Sequence, residues 1–549
     1  MNVEKIERWD TYEIVLETSR IYANPFKDVE LKTIFSHESG KTYTVDGFYD
    51  GGPVWRIRFM PTEIGVWKYI TKSSDMDLDG KKGELLCIKP TKPYLHGPLR
   101  AEGFHFVHAD GTRRFLISTR LSCQFAPPTV WPRVIAFLKE HGINRVLFMM
   151  GGISGTVKEL YGAGPDFSMY NIKNFQAIDS FIDALRRADI IASPYFYYFN
   201  DGLQRLMTPE HDKAYISYGM ARFGAYCNVM PVLSNEVEQK FTDRYQQYNL
   251  AAHTWANEMG SFLRKKAVFA LPVSVHNPME AQNAINPSYY TLLKDWQFPW
   301  ANFMLRQMQI AALSGPKEIN DLQPEWRTPL YNARGYARQN QLLIELRRYR
   351  IPVINEEPGY EHKGLHWDDS LRKWVYNPRP WNTQTAETLI PTFWTAITAG
   401  AYITWGGPST YEMNDPFPEM CKSEVPKYLK IIHDFITNLP YWEMEPANDV
   451  VSPSEIEVEG RSYRTNFCLA KKGEVYLIFS LQGGSGYVIL MQDRIYDVIR
   501  LNPKTGEQTN LGKVAGGTQT FSLPEGNWVL LYKRTTLCSD SVNLFLPSR

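Results

Sequence analysis

Two apolar runs in this 549-residue chain each end in a carboxylate: Asn228-Val-Met-Pro-Val-Leu-Ser-Asn-Glu236 and, about 120 residues further on, Ile351-Pro-Val-Ile-Asn-Glu-Glu-Pro358. Glu236 and Glu357 each lie five residues after a proline, so a short buried strand would carry each to its own C-terminal end. Two carboxyl groups facing one another across a mouth suit the cleavage of a glycosidic bond. The leaving oxygen needs a proton, hence a carboxyl that stays protonated near neutrality, and the oxocarbenium-like centre needs a negative group on its other side. Glu236 reads as the acid/base and Glu357 as the nucleophile. A carboxyl separation of roughly 5–5.5 Å would give retention and a wider one inversion; retention is the expectation adopted.

Glu356 and Glu357 are consecutive, and neighbours on a strand point to opposite faces. Pro358 holds Glu357 extended and ends the strand there, which favours Glu357 and leaves Glu356 as the fallback. Asn235 would set an amide beside Glu236. Other strand ends offer supporting groups: Arg120, Asn200 with Asp201, His276 with Asn277, and Trp405. His276 could hydrogen-bond a sugar hydroxyl or Glu236. Trp405, in Tyr402-Ile-Thr-Trp-Gly-Gly407, is a candidate stacking floor for a sugar, with the glycines leaving room; packing at the barrel top is the alternative. Tyr360 and Glu361 follow Glu357 closely enough to reach the same mouth.

The elements that must position these groups lie between about residues 96 and 440, where apolar runs alternate with amphipathic helical stretches. Candidate strands are Phe115–Ser118, Arg145–Met149, Ile190–Tyr197, Val229–Leu233, Val268–Val275, Trp300–Phe303, Pro352–Ile354 and Ala401–Thr404. Eight such units predict a (β/α)8 TIM barrel, with an open doubly wound sheet as the alternative. Prolines inside four of these strands fall early, before the catalytic end, where a missing donor costs least. Residues 1–95 and 441–549 instead carry short alternating segments punctuated by glycine turns, the pattern of two all-β sandwich domains, the first immunoglobulin-like. The segments Gln204–Asn228 and Trp367–Trp381 read as loops shaping the mouth.

Composition narrows the function class. With 44 % apolar and 22 % charged residues and a formal net charge of +1, the chain is an ordinary globular protein. It has no basic block for nucleic acid or an anionic membrane. Its 15 Trp and 32 Tyr include rings able to stack on sugars. Six cysteines without C-x-x-C spacing or a His cluster are expected to be buried thiols, and neither a metal nor a cofactor is expected. The N-terminal residues lack an apolar signal stretch, which predicts a cytoplasmic protein, or a secreted or periplasmic one had a leader been trimmed.

The same residues carry a family resemblance. The chain resembles the apiosidase-like, cellulase-labelled group of bacterial TIM-barrel glycoside hydrolases, in the clan whose acid/base follows an Asn on strand four and whose nucleophile ends strand seven. Asn235-Glu236 is similar to the acid/base motif, Glu357-Pro-Gly-Tyr-Glu361 to the nucleophile motif, and His276-Asn-Pro278 to the His-Pro after strand five. Tyr43-Thr-Val-Asp-Gly-Phe-Tyr49, Trp55-Arg-Ile-Arg-Phe59 and Gly65-Val-Trp67 resemble the family's N-terminal domain. Leu501-Asn-Pro-Lys-Thr-Gly506 and Trp528-Val-Leu-Leu531 resemble its C-terminal β domain, often labelled collagen-binding. Where the family has Gly-Asp-Thr after strand one, this chain reads Ser118-Thr-Arg120, so an acidic substrate-binding position becomes basic and a carboxylated or sulfated sugar becomes a candidate substrate. The resemblance implies hydrolysis of an oligo- or polysaccharide. The rivals are a carbohydrate-binding protein on an inactive barrel and a polysaccharide lyase using a Tyr or His base.

Overall fold

The computed structural model describes residues 3–151, 167–199, 203–241, 250–279, 298–310, 313, 329–361, 365–368, 373–376, 383–407 and 413–535. At its centre eight short strands run parallel: β1 (Ile117–Arg120), β2 (Arg145–Met149), β3 (Ile191–Tyr198), β4 (Val232–Asn235), β5 (His276–Met279), β6 (Met304–Gln307), β7 (Val353–Asn355) and β8 (Tyr402–Trp405). Their order is β4-β3-β2-β1-β8-β7-β6-β5. The two ends meet at the parallel bridge between Val232 and Ser274, where the Leu233 N–H donates to the Ser274 carbonyl at 2.8 Å. The sheet is therefore a closed TIM-like barrel, as the alternation of apolar runs and amphipathic stretches predicts. Helices α1 (Trp131–Glu140), α2 (Ile172–Arg187), α3 (Pro209–Phe223), α4 (Leu250–Lys266), α5 (Pro329–Leu346), α6 (Ala386–Thr398) and α7 (Val425–Ile436) surround it. Strands covered on both faces need no polar side, which is why they read as nearly continuous apolar runs.

Two strands lie wholly beyond the apolar runs expected to form them. The fifth, expected over 268–275, is His276–Met279, and the sixth, expected over 300–303, is Met304–Gln307. Within Val268–Val275, Ala270 adopts a left-handed φ of 58°, which breaks an extended run, and Pro272 offers no donor. Segment 204–228, read as a loop, is mostly helix α3. Thr208 caps it by accepting from the His211 N–H, Pro209 occupies its first turn, and Tyr215, Ile216, Gly219 and Phe223 are buried at helical spacing.

A hairpin of Leu99–Glu102 and His105–His108 closes the N-terminal end of the barrel. Its Phe106 packs against Phe303 and Tyr402 at ring-centroid distances of 5.7 and 5.2 Å, and the Phe106 N–H donates to the Tyr402 hydroxyl at 3.3 Å. The barrel is thus plugged below, and only its C-terminal end can hold a site.

The N-terminal domain is a curled seven-stranded sheet around Phe35, stacked on Phe59 at 3.9 Å, and the buried Trp55, Trp67 and Leu85. It is fastened to the barrel by buried ion pairs. The Arg58 guanidinium from the N-terminal sheet donates to Asp179 of α2 at 3.0 Å, and Arg222 of α3 bridges Asp179 at 2.5 Å and Asp50 at 2.9 Å. The C-terminal domain is a six-stranded antiparallel sheet carrying the long hairpin Gly484–Leu501 and Gln508–Leu523. It meets the barrel where Trp394 of α6 lies near Phe479 and where the Asn448 amide donates to Asn340 of α5 at 2.9 Å. Among the described cysteines all five are free thiols. Cys87, Cys123, Cys227 and Cys468 are buried, but Cys421 is exposed in the turn after Phe417–Met420 and corrects the expectation of buried thiols throughout. Cys538 lies outside the described residues.

Candidate active site

Strand β4 ends at Asn235, and the next residue, Glu236, turns sharply out of the sheet with φ 39° and ψ 63°. A non-glycine residue in the left-handed region costs free energy and persists only where the surroundings hold it. Here they do. The Glu236 N–H donates to Nδ1 of His276 at 3.4 Å, and the Gln239 side-chain amide donates to Glu236 Oε2 at 2.8 Å. The following turn, Val237–Lys240, is anchored twice more. Glu238 meets His253 of α4 at 3.1 Å, and Lys240 drives its ammonium into a buried aromatic box. The ammonium lies 5.0 Å from the Trp255 ring centroid and 5.4 Å from Phe199, and donates to the Gln204 carbonyl at 3.0 Å. Asp212 is its counter-ion at 3.5 Å. Burial lowers the lysine's pKa and raises the aspartate's.

His276 opens β5 and is fully buried. Burial pushes its imidazole down to about 4, so it is neutral at ordinary pH. Because Nδ1 accepts from Glu236, the ring proton belongs on Nε2. That Nε2 is buried without a partner among the described residues.

Strand β7 ends at Asn355, and the two glutamates that follow have different surroundings. Glu356 is sealed in the barrel interior, where Arg145 at the head of β2 grips it from two nitrogens at 2.7 and 2.9 Å. The Tyr195 hydroxyl donates to it at 2.5 Å and that of Thr404 at 2.9 Å. Burial opposes its charge, but the Arg145 cation and these hydrogen bonds outweigh it and hold the carboxyl at about 2. Glu357 stands at the mouth. Its Oε2 lies 3.4 Å from the Arg120 guanidinium at the tip of β1, and its Oε1 accepts from the Gln309 amide at 3.4 Å. The same Arg120 nitrogen lies 3.5 Å from Oδ1 of Asn235. One guanidinium therefore ties the tips of β1, β4 and β7 together. Arg120 is buried, with the Tyr360 ring centroid at 5.9 Å; burial opposes its charge, yet Tyr360 and Glu357 raise its pKa further.

Of the residues singled out in the sequence, Glu236, Asn235, His276, Arg120, Glu357 and Tyr360 all gather at this end of the barrel. Trp405 is fully buried, its indole N–H donating to Glu361 at 3.1 Å, and Ser423 donates to the same carboxylate at 2.5 Å. Gly406 makes room for the neighbouring strand rather than for a ligand. A Cβ there would fall 2.6 Å from the Tyr360 ring and 3.0 Å from the Gly359 carbonyl, where Tyr360 bridges to Gly406. Asn200 and Asp201 lie outside the described residues, as do the side chain of Asn277 and most of the 367–381 loop. Sequence reasoning passed over Arg145, Tyr195, Thr404, Gln239 and Gln309. Only Arg145 left a signal, a charged residue at the head of an otherwise apolar strand. Among the described residues no group of three or more His, Cys, Asp or Glu side chains could hold a metal ion.

A barrel of this kind keeps its chemistry at the C-terminal end, where this chain places Glu236 and Glu357. The family model for the apiosidase-like catalytic domain matches residues 136–443, and one for a domain of unknown function, DUF5060, matches residues 5–74. The chain belongs to the apiosidase-like family of glycoside hydrolases. Its fold is shared by a crystal structure from Bacteroides vulgatus described as a "putative glycoside hydrolase", at a TM-score of 0.71 and 20 % identity over 97 % of this chain and 100 % of that one. It is shared also by a glycoside hydrolase family 5 structure from the same organism, at a TM-score of 0.59 and 14 % identity over 81 % and 94 % of the two chains. No curated protein matches the sequence. A carbohydrate substrate follows from the family.

Proposed function

We propose that the protein hydrolyses an O-glycosidic bond of a neutral oligo- or polysaccharide with retention of configuration, Glu357 acting as nucleophile and Glu236 as acid/base. The observation that carries this reading is the difference between the two strand-seven glutamates. Glu356 is fully enclosed and saturated by Arg145, Tyr195 and Thr404, whereas Glu357 stands at the mouth beside Asn235, Arg120 and Gln309. In the first step a Glu357 oxygen attacks the anomeric carbon as the bond to the leaving oxygen breaks, and Glu236 gives that oxygen its proton. In the second, Glu236 takes a proton from water, whose oxygen displaces Glu357 from the sugar. Arg120 sets a guanidinium 3.4 Å from the nucleophile's Oε2 and so helps to fix its orientation.

Arg120 also bears on the substrate. Its charge is engaged by Glu357, and the guanidinium is buried with Asn235 and Tyr360 around it, which favours neutral sugars over the carboxylated or sulfated ones its basic character suggests. A panel of neutral, uronic and sulfated aryl glycosides tests this. Turnover of neutral members, lost in Glu357→Gln, supports the reading. Binding without turnover of any member favours a sugar-binding protein, an unsaturated product absorbing in the ultraviolet favours a lyase, and a strong preference for anionic members removes the role given to Arg120.

A further inference from the structure

Each of the two glutamates assigned to catalysis is met by a glutamine with one end spent and one end idle. Gln309, two residues beyond β6, donates its side-chain N–H to Glu357 Oε1 at 3.4 Å, and Gln239 donates to Glu236 Oε2 at 2.8 Å. A carboxyl oxygen without a proton only accepts hydrogen bonds, so the nitrogen of each amide faces such an oxygen and the carbonyl oxygen faces away. Both oxygens are buried without a partner among the described residues. The whole Gln309 residue is only 1 % exposed, and an unmet buried acceptor is a free-energy cost that folded proteins rarely carry without a use. Two further unpartnered polar atoms, His276 Nε2 and Gln307 Oε1, belong to the adjoining strands β5 and β6.

We infer that Gln309 is a specificity-determining residue: its idle carbonyl oxygen accepts a hydrogen bond from a hydroxyl of the sugar ring that meets Glu357, while its N–H end orients the nucleophile. The inference rests on the catalytic assignment of Glu357. A hydroxyl is the fitting donor, because Oε1 can only accept and the partner must come from the ligand that displaces water from the mouth. One amide would thereby report the presence of the correct hydroxyl directly to the nucleophile. A site built to hydrogen-bond a substrate hydroxyl rejects an analogue that lacks it, because the buried group is then left unpaired.

The test is a cycle between enzyme and substrate. The neutral 4-nitrophenyl glycoside turned over fastest by the wild type is compared with its monodeoxy analogues, on wild type, Gln309→Met and Gln309→Asn, with Glu357→Gln as the catalytic control. For one ring position, loss of the hydroxyl should lower wild-type kcat/KM by about 10- to 100-fold but Gln309→Met by less than about threefold, since the partner is already gone. The shorter Gln309→Asn should be equally indifferent and serves if the Met variant fails to fold. Equal deoxy penalties in wild type and variants at every position overturn the glutamine assignment alone. No turnover by the wild type, or turnover that survives Glu357→Gln, removes the catalytic reading and this inference with it.

Discussion

Replacing Glu356 by glutamine keeps the shape of the side chain but leaves the Arg145 guanidinium buried without a counter-ion. The Arg145 and Glu356 side chains are both 0 % exposed, so solvent does little to compensate. The carboxyl is held at about 2 instead of its ordinary 4.5, which corresponds to about 3 kcal/mol of stabilisation near neutral pH. Breaking a buried ion pair from one side costs about 3–5 kcal/mol in other proteins, in agreement. For a barrel of roughly 340 residues, an unfolding entropy of about 2.1 cal/mol/K per residue turns this into a fall in Tm of about 4–7 °C. Differential scanning calorimetry at pH 7 reads it. The pH dependence supplies a second check. A carboxyl with a depressed folded-state pKa contributes fully above about 4.5 and loses its contribution as pH falls toward about 2, so the penalty of Glu356→Gln should shrink across that window. The double variant Arg145→Met/Glu356→Gln should recover part of the lost stability. Activity of Glu356→Gln should fall far less than that of Glu357→Gln. An unchanged Tm at pH 7, or greater loss of turnover in Glu356→Gln than in Glu357→Gln, would refute the division of labour between these neighbours.

Three further outcomes follow from the same geometry. Arg120→Met should lower kcat/KM on neutral glycosides by about 10- to 1000-fold, from the loss of a charge-assisted contact of about 1.5–4 kcal/mol, without creating or removing a preference for anionic sugars; steady-state kinetics on both substrate sets decides. Lys240→Met leaves Asp212 buried without its cation and should lower the barrel's Tm by several degrees, by the same arithmetic of about 3–5 kcal/mol; a neutral effect would mean that the aromatic box, and not the charge, holds the turn after Glu236. Asp179→Asn removes the counter-ion shared by Arg58 and Arg222. It should loosen the N-terminal domain, read as faster limited proteolysis near residue 96 or as a separate low-temperature transition; an unaltered cleavage pattern and a single unshifted transition would contradict this.

Much of the architecture is legible in the sequence because a parallel barrel leaves a strong trace: strands covered on both faces must be apolar, as in Arg145–Met149 and Tyr402–Trp405. The tips of β4 and β7 are legible for the same reason, since each apolar run stops where its glutamate begins. The fifth strand is not. Val268–Val275 is as apolar as any true strand, and the left-handed turn at Ala270, which composition does not reveal, together with Pro272 moves the pairing onward. Helix α3 is obscured by its polar residues, several of which are buried in tertiary contacts: Asp212 with Lys240, and Arg222 with Asp179. Strand alternation does not describe Glu356 and Glu357, which both lie beyond the end of β7, and nothing in the sequence shows that Glu356 has a long-range partner in Arg145, 211 positions away. Gln239 and Gln309 leave no pattern at all, since a glutamine beyond a strand end is ordinary until the structure sets it against a carboxylate.

The assignment of Glu357 and Glu236 is tested most directly with a 2,4-dinitrophenyl glycoside of the preferred sugar, whose leaving group needs no proton. Glu236→Ala should still form the glycosyl-enzyme on this substrate, stall at the second step, and be accelerated by azide to yield a glycosyl azide of retained configuration, whereas Glu357→Ala should lose at least about a thousandfold in rate. Equal losses in both variants regardless of leaving group, or a Glu357→Ala enzyme that works as well as the wild type, would contradict the account.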